Sequence, residues 1–156
     1  MLLISITLLT ALAGFQADVF ALDDVEALLA TDEAPAGVVF EIVSGDADTL
    51  GRLLPGVRAG IERLRARFPG LPVAIVSHGE EQFALTTENL ADDPGLDAIA
   101  RDMVTGKEVD LHVCGTYAGW FGIDPEAFPD YVDVAAAGPA QINDYRALGY
   151  VLITLP

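Results

Sequence analysis

Cys114 is the only cysteine of the chain. It stands in Val109-Asp-Leu-His-Val-Cys-Gly-Thr-Tyr-Ala-Gly-Trp-Phe-Gly122, an apolar run that turns at Cys-Gly and continues with helical spacing. A cysteine placed where a strand feeds a helix meets unpaired N–H groups and the positive end of a helix dipole. That setting favours the thiolate and makes the sulfur a nucleophile. The position also suits a second reading, because free cysteine is among the most buried residue types and packs as a small hydrophobe. The two histidines, His78 and His112, each lie near the carboxyl end of an apolar run. His112 and Cys114 are two residues apart, so on a strand their side chains leave by one face. If the strands ending at His78 and Cys114 are neighbours, His78 arrives at the same rim, where an imidazolium favours the charged sulfur. His112 reads better as a core histidine. His78, beside a loop glycine, stays open between the two roles. No Cys-x-x-Cys or His-x-x-x-His spacing supports a metal site, so none is expected among His78, His112 and Cys114.

The elements that must hold these residues follow from periodicity and punctuation. Strands are expected at Val38–Val43, Leu71–Ser77, Val109–Val113, Tyr131–Ala137 and Tyr150–Leu155. Helices are expected at Leu22–Thr31, Leu50–Phe68, Leu96–Thr105 and Pro139–Leu148, with a short helical or irregular link at Phe83–Asn89. Pro55 and Gly56 suggest that the second helix begins near Pro55, and Asp48 is its alternative N-cap. Trp120 and Phe121, just after the cysteine, could shape a pocket, but burial against the sheet is the expected fate of such aromatics. Strand and helix alternate five times, which predicts a parallel sheet with helices on its faces and right-handed connections.

Length and charge bound the rest. The 156 residues suit one folded domain, and 52% hydrophobic with 21% charged residues is a globular composition. The net charge of −16, from 24 acids and 8 bases, argues against binding nucleic acid or an anionic membrane surface. One cysteine excludes an intramolecular disulfide. Five of the eight bases lie in Leu50–Phe68, where a solvated face is the expected role and a docking face for an acidic partner the alternative. There is no Gly-x-Gly-x-x-Gly, no phosphate loop and no Gly-x-Ser-x-Gly elbow, so no cofactor is expected. Met1 to Phe15 is apolar and too short to span a bilayer comfortably. With Val19-Phe20-Ala21 behind it, residues 1–21 read as a secretory signal, although no Lys or Arg precedes the apolar run. Residues 22–37 then form a helix and linker, and residues 38–156 the α/β domain. The expected location is periplasmic or secreted, with no membrane attachment once the signal is removed.

Four pieces together carry a family resemblance: Val38 to Asp46; the strand ending Ser77-His78-Gly79; Val-Asp-Leu-His-Val-Cys-Gly; and Gly138-Pro-Ala-Gln-Ile-Asn-Asp-Tyr-Arg-Ala-Leu-Gly-Tyr-Val-Leu-Ile. Over about Val38 to Leu155 the chain resembles the DsrE/DsrF-like sulfur-relay proteins. The resemblance implies a three-layer α/β/α sandwich with a five-stranded parallel sheet, its second and third strands adjacent. It implies a homo-oligomer (dimer, trimer or hexamer) and a protein partner that gives or takes sulfur. The position matching the persulfide-carrying cysteine is Cys114. In that role Gly115 and Thr116 would offer N–H groups to the sulfur anion, and His78 would tune its charge. The chain departs from cytoplasmic relay members in its expected export signal and in a cysteine set directly at the strand end. The alternative is a non-catalytic small-ligand-binding or assembly module of the same fold, with Cys114 as packing.

Overall fold

A computed structural model of the protein describes residues 16–155, with side chains from residue 23 onward. The expected signal therefore lies largely outside the described residues. Helix α1, Gln16–Leu29, runs through the expected cleavage point after Ala21. Beyond it the chain alternates as read. Strand β1 is Gly37–Ile42, α2 is Thr49–Arg67, and β2 is Val73–Ser77. A 3-10 segment, Glu80–Leu85, leads to the short helices α3, Thr87–Asp92, and α4, Pro94–Arg101. Strand β3 is Val109–Cys114, α5 is Gly115–Trp120, and β4 is Asp133–Ala135. Helix α6, Gly138–Ala147, and β5, Tyr150–Leu155, complete the order.

The five strands form one all-parallel sheet in the order β4-β3-β2-β1-β5. The chain steps outward from β1 to β4, then crosses back to lay β5 on the other side of β1. Right-handed crossovers place helices of the outward steps on one face and the return helix on the opposite face. The packing follows. Phe40, Ile42 and Ile75 meet Leu50, Leu54, Ile61 and Leu64 of α2 in the larger core, while Val39, Ala74 and Val76 meet Ile142 and Tyr145 of α6 in the smaller one. Helix α1 joins the larger layer, its buried Val25 seated against Gly60. The result is a three-layer α/β/α sandwich.

Several boundaries differ from expectation for physical reasons. Helix α2, Thr49–Arg67, matches the expected Leu50–Phe68 to one residue at each end, and the later start near Pro55 is not the one taken, since that proline lies inside it. Asp48 stands at its N-cap but makes no side-chain cap bond. Asp46 is the working carboxylate: it accepts the Asp48 N–H and pairs with Arg52 at 2.7 Å. That guanidinium holds its carboxyl below the usual range. The helix expected at Leu96–Thr105 begins earlier, with Pro94 in its first turn and Asp93 capping the Leu96 N–H at 2.9 Å. It continues as a π-helical turn, Asp102–Gly106. Strand β4 is shorter than expected because, at the edge, it pairs only with His112–Cys114 of β3.

Candidate functional site

Parallel strands bring every carboxyl end to one rim, where open α/β sheets place ligands. β2 pairs with β3 in the register Ser77 with Val113, so the next residues, His78 and Cys114, sit side by side at that rim. The adjacency expected of these two strands is therefore present. What the side chains do there differs from residue to residue.

Cys114 ends β3 and caps α5. Its backbone is extended, and its Sγ accepts the Tyr117 N–H at 3.4 Å. The residue is 4% exposed. The Cys114 N–H in turn donates to Gln82 Oε1 at 2.7 Å. The sulfur thus takes the place a serine or aspartate oxygen usually fills, satisfying one of the orphan donors of a first helical turn.

Thr116 is committed elsewhere. Its N–H and its hydroxyl both donate to the Ala136 carbonyl, at 3.1 and 2.6 Å. The N–H that reaches the sulfur is that of Tyr117, not of Thr116. The backbone of Gly115 lies close under β4: a Cβ there would stand 3.1 Å from the Ala135 oxygen.

Neither imidazole bonds to the sulfur. His78 Nε2 lies 2.9 Å from Glu41 Oε1, and the other oxygen of Glu41 accepts from the Thr154 hydroxyl at 2.8 Å. This His–Glu pair is partly exposed and joins β2 to β1 and β5. Gly138, opening α6, rests on the imidazole, since a Cβ there would stand 2.5 Å from the His78 Cβ. His112 is buried beneath α6, with Nε2 2.8 Å from the Tyr145 hydroxyl. That hydroxyl donates onward to Asp110 at 3.3 Å. The direction of the chain makes His112 Nε2 the protonated nitrogen. Burial lowers the His112 pKa, opposed by Asp133 and Asp110, and burial with the Asp110 charge raises that of Tyr145.

Two residues that the sequence did not single out build the rim. Glu81 and Gln82 lie in the 3-10 segment after β2, and both are fully buried. Glu81 Oε1 accepts the Ser77 hydroxyl at 2.8 Å, the His78 N–H at 3.1 Å and the Gly79 N–H at 2.9 Å. Its Oε2 accepts the Ser44 N–H at 2.7 Å. Four donors and no cation surround this carboxylate. It locks the loop leaving β1 to the loop leaving β2, and Glu80 N–H to Ser44 oxygen, 2.7 Å, adds a backbone bond beside it. Gly79 is required by this closeness, because a Cβ would sit 2.4 Å from both Glu81 Oε2 and the Ser44 oxygen. Gln82 completes the set. Its oxygen holds the Cys114 N–H, while its Nε2 is buried without a partner. The signal for the pair was Glu-Glu-Gln directly behind Ser-His-Gly at a strand's carboxyl end, two residues past a loop glycine.

Trp120 and Phe121 do not bury against the sheet. They are 75% and 54% exposed. Among the described residues no group of three or more His, Cys, Asp or Glu side chains is arranged to hold a metal ion, and no helix is long and apolar enough to cross a membrane.

No family model and no curated protein matches the chain. Among solved structures it is similar to a protein of unknown function from Methanobacterium thermoautotrophicum, MTH1491. The TM-score is 0.58 and the identity 21%, over 75% of this chain and 96% of that one. At that identity the likeness concerns the fold, and the chain shares its α/β architecture with that protein.

Proposed function

We propose that this is a DsrE-like domain that carries sulfur on Cys114 and passes it to a partner. The observation that carries the reading is the sulfur set as the N-cap of α5, with the Tyr117 N–H directed at it. The unpartnered Gln82 amide supports it. Nε2 shares a carbon with the oxygen 2.7 Å from the Cys114 N–H, so a spare N–H donor stands beside the cysteine. A terminal persulfide sulfur is an acceptor of the kind that donor lacks.

In the reaction the Cys114 thiolate attacks the outer sulfur of a donor persulfide, R–S–SH. A new S–S bond forms, the donor S–S bond breaks, and R–S⁻ leaves with the electron pair. Cys114–S–SH results, with no net change in oxidation. The Tyr117 N–H stabilises the charged Cys114 sulfur, and the Gln82 amide would be free to meet the terminal sulfur once it is in place. Export of the protein and assembly into a homo-oligomer belong to the same proposal. N-terminal sequencing of the secreted form tests the first and sedimentation the second.

Intact-mass measurement after exposure of reduced protein to a persulfide donor tests the sulfur reading. A gain of about 32 Da on Cys114 in the folded protein, absent in Cys114→Ser, is expected. No adduct, or an equal adduct in unfolded protein, overturns it. The 4% exposure of Cys114 favours a second reading, a binding or assembly module in which the cysteine is packing. A thiol that reacts with a small disulfide only after denaturation decides for that reading.

A further inference from the structure

The carboxyl rim carries a surface that the cysteine does not account for. Phe83, Tyr117, Trp120 and Phe121 interlock. Phe83 lies 5.8 Å from Tyr117 and 5.2 Å from Phe121, and Tyr117 lies 5.7 Å from Trp120 and 5.2 Å from Phe121. A mutually packed cluster would be ordinary if it faced the core. This one is open, with Trp120 75% and Phe121 54% exposed. Apolar rings held rigidly in water mark interaction surfaces, and Trp and Tyr are the residues on which binding energy concentrates.

Its surroundings have one sign. There is no Lys or Arg between residues 68 and 100, or between residues 108 and 145, the stretches that supply every ring of the cluster. Phe83 also lines an open cavity of about 620 Å3 whose walls include Glu88, Asp124 and Glu126. Burial and then the Glu80 and Glu81 charges push the Tyr117 hydroxyl pKa up. The bases are elsewhere. Arg65 reaches the carbonyls of Leu71, Lys107 and Glu108, ahead of β2 and β3, and Arg67 that of Thr31, ahead of β1. Arg52, near the carboxyl rim, is paired with Asp46.

We propose that this aromatic cluster with its acidic surround is the docking face for a basic protein segment. Arg or Lys side chains would stack on the rings and meet the carboxylates, and aliphatic side chains would cover Trp120 and Phe121. A second copy of the chain is the poorer occupant. Like-on-like pairing would set two acidic rims together in a molecule of net charge −16. Head-to-tail pairing would rest on Arg146, in the last turn of α6, since Arg65 and Arg67 are engaged by carbonyls and Arg63 and Lys107 by Glu26 and Glu62. The inference does not rest on sulfur chemistry, although a partner seated here would stand beside Cys114.

Trp120 is the only tryptophan, so its fluorescence reports the site without a label. The probes are a short alternating Arg-Leu peptide and its Glu-Leu counterpart, titrated at low salt. The Arg-Leu peptide is expected to shift Trp120 emission to the blue, and the Glu-Leu peptide to leave it unchanged. The Asp124→Asn/Glu126→Gln pair is expected to weaken binding about five- to ten-fold, with a flatter salt dependence. The control pair Asp23→Asn/Asp32→Asn removes the same charge from distant exposed positions, and is expected to change binding by about two-fold or less. In Trp120→Ala, labelled-peptide anisotropy is expected to show about a ten-fold loss. No emission shift, an equal effect of the distant pair, or a blue shift that grows with protein concentration alone overturns the proposal. Repeating the titration on Cys114→Ser separates the two ideas, since docking that persists there stands whether or not Cys114 takes up sulfur.

Discussion

Glu81 is a carboxylate held by four hydrogen bonds rather than by a cation, so its value depends on every donor finding an oxygen lone pair. Glu81→Gln replaces one acceptor by a second donor facing donors. A loss of about 2–4 kcal/mol in unfolding free energy is expected from urea titration. The sequence made Cys114 visible because a lone cysteine at a strand–helix junction has few ordinary explanations. Glu81 and Gln82 were harder to see, because nothing in Glu-Glu-Gln shows that a 3-10 turn folds the second and third residues under the rim and leaves Glu80 at its edge. His112 illustrates the opposite case, since the core role read from its place in an apolar strand is the one it fills. Its burial has a consequence for pH. The unfolded chain takes up a proton near 6.5, the ordinary imidazole value, while the folded imidazole is held below it. As pH falls the unfolded state binds more protons, so stability present above that value is lost on acidification. Wild type is therefore expected to lose more stability than His112→Gln between neutral and mildly acidic pH, read from urea midpoints at each pH.

Helix α2 shows how tertiary context overrides a local signal. Pro55 marks a helix start by its chemistry, yet apolar Leu50, Leu53 and Leu54 bury against the sheet and carry the helix six residues further toward its amino end. Proline there leaves the Gly51 carbonyl without its helical donor on an exposed face. Pro55→Ala is expected to stabilise the protein by about 1–2 kcal/mol, the restored hydrogen bond outweighing the greater freedom of the unfolded chain, as thermal unfolding would show. The start of α6 is less tolerant. Gly138→Ala drives a methyl into the His78 side chain, and a loss of about 1–3 kcal/mol is expected with a perturbed His78 resonance in NMR. The alternation of apolar runs and amphipathic segments was enough to read five parallel strands. The short helices α3 and α5 and the narrow β4 carry too few residues for a period to emerge. Trp120 and Phe121 followed the rule that aromatics bury only as far as ring-to-ring contact, because Ala118 takes the inward face of α5 and leaves them outside it.

At the scale of the molecule, acids without bases occupy residues 78 to 100 behind β2 and 115 to 132 behind β3, while the arginines of α2 tie down the segments ahead of β1, β2 and β3. With a net charge of −16, self-repulsion opposes compactness, and salt screens it. The melting temperature is expected to rise between low and moderate sodium chloride, and a flat profile would show that the charges are already too far apart to matter. The strand order has its own consequence for how the protein is made. β1 lies between β2 and β5, so a nascent chain holds one flank of its central strand unpaired until the segment around Tyr150 to Leu155 emerges from the ribosome. For all that time Val38 to Ile42 offers open backbone to any passing strand. A chain halted before Tyr150 should therefore aggregate rather than wait.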